Sequence, residues 1–335
     1  MNNIAKNPPE LVAEQAPGGD TATPEGRAFW QQALSWGLFP VTVLATAASG
    51  IWLMEAQNPR LMWLRLAVTG PGLLLLFGLE WLLPHRAAWN SRRDGDLLTD
   101  VLHNTIGASL YPARSIVVTA LLTATIAWLA ARFGSDSLWP STWPLAAQVV
   151  LLVVLGEFFY YWAHRFAHEY GLLWRLHSTH HSPSRLYWFN ADRFHPFDMI
   201  LLSAARAIPA IFLGAEAAPI VVQGLLVAYC GKLQHANVDM RFGILNQVFA
   251  TADWHRWHHS TAQTQCNYGN ILILWDRVFG TAYLPQDGHA PDELGLVDMP
   301  AFPTGYFGQL LAPFRWRTLE KESRQQLAAE DPERE

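Results

Sequence analysis

The chain has 335 residues, of which 51% are hydrophobic and only 15% charged. Soluble domains carry about 25% charged residues, so the missing charge points to apolar surroundings, and the 16 Trp, 17 Phe and 9 Tyr suit long membrane–water boundaries. A net charge of −5 argues against a nucleic-acid partner, and two cysteines without a CxxC pair exclude a disulfide framework.

In chain order, residues 1–34 are rich in Pro, Gly, Glu and Asn and lack a basic start followed by an apolar core. They read as a polar, disordered tail rather than a cleaved signal peptide. Apolar segments follow at Gly37–Met54, Leu66–Leu83, Ile116–Ala131 and Leu145–Trp162. Each approaches the ~17–25 residues that cross a bilayer as a helix. Arg86, Arg92, Arg93 and Arg114 cluster between the second and third, whereas Arg60, Arg65 and Arg132 are spread over the other two short connections. The positive-inside bias therefore makes the Arg86–Arg93 loop cytoplasmic, together with the N-terminus and everything after Trp162.

A fifth apolar region, Phe197–Cys230, is interrupted by Arg206, Pro209, Gly214, Glu216 and Pro219. Its halves of about 14 residues are short for a span at ~1.5 Å per residue, so a re-entrant or tightly bent hairpin is expected, with two full spans as the alternative. Either form keeps the flanking residues on one side of the membrane.

The chemistry is concentrated in Tyr160–Ser182 (YYWAHRFAHEYGLLWRLHSTHHS) and Trp254–Ser260 (WHRWHHS). Three histidine groups result: His164 and His168; His177, His180 and His181; His255, His258 and His259. Residues three and four apart share a helix face, so HxxxH and HxxHH each aim two or three imidazoles at a common point. One such pair is ordinary; three groups repeating the spacing call for metal. His195 in RFHP and His235 in LQHAN are single histidines, equally readable from the residues alone as ligands or as structural groups. With them the set numbers ten, and at roughly four to six ligands per ion two metals are the economical count. Imidazole accepts zinc, iron and copper alike.

Other polar residues lie beside these motifs. Glu157 precedes His164 by seven residues and so lies near the same helix face, where an ionisable group within a span is a candidate for orienting a ligand imidazole. Asp100 and Asn104 are one turn apart and read equally as such partners or as capping groups. Asn237 and Asp276 are further candidates, ahead of Asp192, Asp198 and Asp253. His85, His103 and His289 read as structural. Tyr187, Trp188, Phe189 and Phe194 form an aromatic run that suits either a channel wall or anchoring at the membrane surface.

HRFAHE, LHSTHHS, NADRFHPFD, LQHANV and WHRWHHS, followed by NYGNILILWDRVFGT, resemble the fatty acid hydroxylase/sterol desaturase superfamily of integral-membrane di-metal oxygenases. The likeness spans about residues 95–285 and names a superfamily, not a substrate. It implies an all-α membrane fold of four spans, a helical hairpin and a cytoplasmic helical cap. It places a catalytic domain at 35–285 and a cytoplasmic C-terminal segment at 286–335. It implies two iron ions, replaceable by zinc in isolated protein, O2 as co-substrate, and ligation by His195 and His235 as well as the grouped histidines. The chain has no GxGxxG after a strand, no GxxxxGK[ST] and no cysteine framework for an iron–sulfur centre. Electrons would then come from a separate ferredoxin or cytochrome with its reductase. The expected activity is hydroxylation or desaturation of a lipid. A di-zinc hydrolase and a metal transporter or storage protein are the alternatives, although a transporter would set its ligands near the bilayer midplane.

Overall fold

The computed structural model describes residues 28–56, 72, 74–91, 95–133 and 138–330. Most of the N-terminal tail, the first part of the expected span Leu66–Leu83, Arg60, Arg65, Arg92 and Arg93, and the last five residues lie outside these, as does the side chain of Arg114. The described residues form helices, three isolated bridges and no strand.

The long helices are α1 (Phe29–Glu55), α2 (Leu97–Phe133), α3 (Leu145–Glu169), α5 (Pro196–Leu213) and α6 (Ala217–His235), with α4 (Gly171–His181) between α3 and α5. Four of them, α1, α3, α5 and α6, are long and apolar enough to cross a membrane. The expected span Ile116–Ala131 lies inside the continuous helix α2, and residues 74–82 of the expected second span are helical. Short helices α7 (Ala252–His258), α8 (Leu274–Phe279) and α9 (Tyr306–Leu311) and the longer α10 (Trp316–Glu330) complete the chain.

The region expected as two short halves is a hairpin of 18- and 19-residue helices. The expected count is too low for the first half, since Phe197–Leu213 already holds 17 residues and α5 adds only Pro196, which suits a first helical position; the second is longer because α6 continues past Cys230 through Lys232 to His235. Pro209 is accommodated within α5, and Pro219 falls in the first turn of α6, where its missing N–H is harmless. Gly214 ends α5 in the left-handed region (φ 74°), and the Ala215 N–H bonds back to the Ala210 carbonyl at 2.7 Å. At ~1.5 Å per residue each helix is about 27–29 Å long.

Contacts at the two ends order the bundle. Near Gly214, Ala210 packs with Trp139 and Leu152, so the start of α3 meets the hairpin turn. At the opposite end, the Arg241 N–H reaches the Ser35 carbonyl at 2.8 Å, and Asp239 N–H reaches Leu83 at 2.9 Å. The α5–α6 hairpin therefore leaves this end and returns to it, bringing His235 and the later histidines back beside those of α3 and α4. The apolar interior runs through Phe39, Leu76, Leu233 and Val238 on one side and Val153, Val222 and Ile271 on the other.

A buried ion pair stands between the helices. Glu157 Oε1 lies 2.9 Å from Arg206 Nη1, and its Oε2 accepts from the Asn270, Ile271 and Leu272 N–H groups at 2.9, 2.7 and 3.3 Å. Arg206 also bonds the Asn270 side chain and lies over the Tyr160 ring. One carboxylate thus secures α5 and the loop 270–272 to α3.

Candidate metal centre

Five imidazoles gather at one point and four at another. His164, His168, His177, His181 and His258 form the first group, and His180, His235, His255 and His259 the second; within each, one nitrogen per ring lies within 4.8 Å of all the others. All nine are buried. The helical spacing explains the sorting: His164/His168, His177/His181 and His255/His259 are i, i+4 pairs whose members stay together, while adjacent His180 and His181, or His258 and His259, project in different directions and divide between the groups.

The outer nitrogens are engaged by acceptors, which determines the tautomers. His164 Nδ1–H donates to the Tyr268 carbonyl (2.7 Å), His258 Nδ1–H to the Cys266 carbonyl (2.7 Å), and His180 Nδ1–H to the Arg193 carbonyl (3.3 Å). His177 Nδ1–H donates to Asp198 Oδ2 (2.8 Å), with both side chains buried. His235 Nδ1–H donates to Asn190 Oδ1 (2.9 Å), and the Asn190 amide is itself held by the Arg185 carbonyl. Each of these rings is left with a bare Nε2 when neutral.

Two of those bare nitrogens face each other, and further Nε2 atoms converge beside them. His164 Nε2 and His177 Nε2 stand 3.0 Å apart, and neither has a proton to give. His258 Nε2 meets His181 Nε2 at 3.1 Å, His255 and His259 approach Nε2 to Nε2 at 3.1 Å, and His235 Nε2 has no partner. Burial, reinforced by neighbouring imidazoles, holds His180, His181, His255 and His259 well below the ordinary histidine range, and burial brings His258 down to about 3. Buried imidazoles converging on two points are a donor set that fits a soft-to-borderline cation in each group.

The loop after α7 is the scaffold for two of these contacts. Asp276 Oδ1 accepts from Tyr268 N–H (2.7 Å) and Thr281 Oγ (2.8 Å), while Oδ2 accepts from Gly269 N–H (2.8 Å). Burial raises the Asp276 carboxyl to about 6 against these bonds. Glu157 holds the next three residues, so the Tyr268 carbonyl that orients His164 is clamped from both sides. Glu157 and Asp276 thus act on an imidazole through the backbone, without touching it.

Other expected residues lie elsewhere. His195 is in neither group: it precedes α5 as its N-cap, its Nδ1 accepts from Phe197 N–H (3.3 Å), and its Nε2–H donates to the Leu310 carbonyl (3.3 Å). Asn237 fastens the 80–90 segment, bonding Arg86 backbone groups and Asn90, while its N–H and that of Trp188 both donate to buried Glu80. Asp100 takes the Tyr187 hydroxyl and Arg193 Nε (2.6 Å), and Asn104 holds the Phe189 carbonyl. Through Arg193, whose carbonyl receives His180, Asp100 supports the second group from one residue further out. Phe194 stacks on the His180 ring at 4.0 Å and 12°, so one member of the aromatic run walls the second group. Reading the sequence gave Asp198 little weight and did not single out Asn190 or Glu80. Asp198 lies in the first turn of α5, three residues after His195 and inside NADRFHPFD, and that position within a histidine motif is the signal that could have marked it.

The profile of the family described as Fatty acid hydroxylase matches residues 149–281, the stretch holding all nine grouped histidines. The ornithine lipid hydroxylase OlsE of Rhizobium tropici is 36% identical over 287 residues, covering 84% of each chain. Methylsterol monooxygenase 2-2 of Arabidopsis thaliana is 24% identical over 42% of this chain and 54% of its own length. Human alkylglycerol monooxygenase is 31% identical over 37% of this chain and 28% of its own length. No solved structure matches. A shared profile over the histidine core and a relative aligned over most of both chains lead to one conclusion: the chain belongs to the fatty acid hydroxylase family and is an oxidoreductase of the oxygenase type.

Proposed function

We propose that each histidine group holds one metal ion, iron in turnover and zinc as its substitute in isolated protein, and that the protein hydroxylates a membrane lipid at an unactivated C–H position. The observation that carries this reading is the convergence of nine buried imidazoles on two points, with the bare Nε2 atoms of His164 and His177 3.0 Å apart in the first. Bound iron supplies the activation of O2 that no acid or base side chain offers. The chain's own residues do the rest: nine imidazoles bind, Asp198 and the Tyr268 and Cys266 carbonyls orient three of them, and their burial excludes water. His195 is left out of this set because both its nitrogens are engaged. The four-histidine group offers one imidazole fewer, so an ion held there would keep more open positions.

The R. tropici relative's name supports an ornithine-type aminoacyl lipid as substrate, given the 36% identity over 84% of both chains. Electrons come from a separate ferredoxin or cytochrome with its reductase, and the histidine end of the bundle lies on the cytoplasmic side, where those donors are. The test is iron-loaded protein in lipid nanodiscs carrying ornithine lipid, with a ferredoxin and reductase and isotopically labelled O2. A hydroxylated lipid bearing the label supports the reading. Cleaved lipid without O2 uptake would establish a hydrolase in its place.

A further inference from the structure

The C-terminal segment 302–314 is strapped across the histidine end of the bundle at three points. Thr99 Oγ of α2 donates to the Thr304 carbonyl (2.8 Å), and the His195 ring at the start of α5 donates to the Leu310 carbonyl (3.3 Å). Buried Gln309 joins His103 of α2 (2.9 Å) to the Ser182 hydroxyl (3.3 Å), one residue beyond His181. These bonds orient α9 and the turn Ala312–Phe314 after it. Tyr306, Gln309 and Ala312 face inward and are buried.

The outward face is apolar. Phe307, Leu311 and Phe314, at i, i+4 and i+7, are 69%, 55% and 74% exposed. Leu98, next to Thr99 on the first turn of α2, is 68% exposed, and Phe197, two residues after His195 on the first turn of α5, is 57% exposed. Both helices run from here along the bundle, and α5 is one of those apolar enough to cross a membrane. The Thr99 and His195 bonds therefore tie α9 to the ends of α2 and α5 that carry Leu98 and Phe197. Exposed Arg315 and Arg317 follow directly, and the next helix, α10, is polar. Apolar residues at helical spacing beside arginines are the composition of an element lying in the plane of a bilayer surface.

We propose that residues 306–314 form an interfacial membrane anchor, with Phe307, Leu311 and Phe314 in the headgroup–acyl boundary and Arg315 and Arg317 among the phosphates. The occupant of this face is the lipid leaflet that α5 enters. The strap then links the bilayer surface to Ser182 beside His181 and to His195 beside Phe194, the ring stacked on His180. It sets the height of the histidine groups above the leaflet. This inference is independent of which metal or lipid the centre takes.

Single nitroxide labels on Phe307→Cys, Leu311→Cys and Phe314→Cys test it, with Gln325→Cys on α10 as the aqueous control. Cys230 and Cys266 are both buried, so the introduced thiols are the reactive ones. The full chain is placed in phospholipid nanodiscs containing anionic lipid, and collision with O2 is compared with collision with a water-soluble nickel chelate. The expected result is preference for O2 at the three strap positions and for the nickel chelate at Gln325→Cys. Preference for the nickel chelate at all four positions overturns the anchor. Protection from both reagents at the strap also overturns it, because a protein surface, and not lipid, would then cover this face.

Discussion

Replacing Asp198 with Asn separates the charge of this residue from its shape. Asp198 Oδ2 lies 2.8 Å from His177 Nδ1, and the two side chains are 1% and 0% exposed, so solvent does not screen the contact. The amide oxygen of Asn still accepts the Nδ1–H bond, which preserves ring orientation and tautomer. What is lost is the negative charge that makes the imidazole a stronger donor. Removing such outer partners lowers metal affinity about 10–100-fold, or roughly 1.4–2.8 kcal/mol at ~1.4 kcal/mol per factor of ten. The dry setting places Asp198→Asn toward the upper end. Because His177 belongs to the five-histidine group, one metal equivalent is expected to become labile while the other is unchanged. The assay is chelator competition on purified protein, reading metal per chain by elemental analysis. Retention of both equivalents at the wild-type chelator concentration, or equal loss of both, would refute the assignment of His177 and Asp198 to one ion.

Three further outcomes follow from the same geometry. His181→Ala and His259→Ala each abolish lipid oxidation and lower metal content, but remove donors from different groups; elemental analysis of membrane-inserted variants checks this, and full activity in either removes that residue from the centre. Glu157→Gln leaves Arg206 buried without its counter-charge and costs roughly 3–5 kcal/mol, as for other broken buried pairs; Glu157→Gln with Arg206→Met recovers part of the loss in thermal unfolding, and additive losses would contradict the pairing. Gly269→Ala places a Cβ 2.2 Å from the Leu272 carbonyl oxygen, a backbone atom that cannot step aside; the loop shift costs about 1–3 kcal/mol and weakens metal retention through His164, whereas unchanged stability and metal content would show that the loop absorbs the methyl group.

What was readable in the sequence depended on periodicity. The i, i+4 histidines announce themselves because a helix puts them on one face, and the divergence of His180 from His181 follows from the same rotation. The groups that orient the rings are another matter. Tyr268 and Cys266 contribute carbonyl oxygens, which every residue possesses, so no side-chain pattern marks them. Glu157 was legible as a charge within an apolar helix, yet its action through loop 270–272 required the fold. His195-Pro196 reads equally as a ligand motif and as a helix start, and the structure uses the histidine as the cap of α5. The hairpin looked short because the apolar count stopped at Cys230, whereas α6 runs on through Lys232 to buried Gln234 and His235, and because Phe197–Leu213 was undercounted.

The division of the two histidine doublets between the groups has a mechanical consequence. His180–His181 and His258–His259 each bridge the two ion positions by a single peptide linkage, and the His181 and His259 rings stack at 4.2 Å. Two ions held by these groups would have their spacing gauged by covalent struts more than by helix packing, so a shift of one bundle helix against another would move both ion positions together.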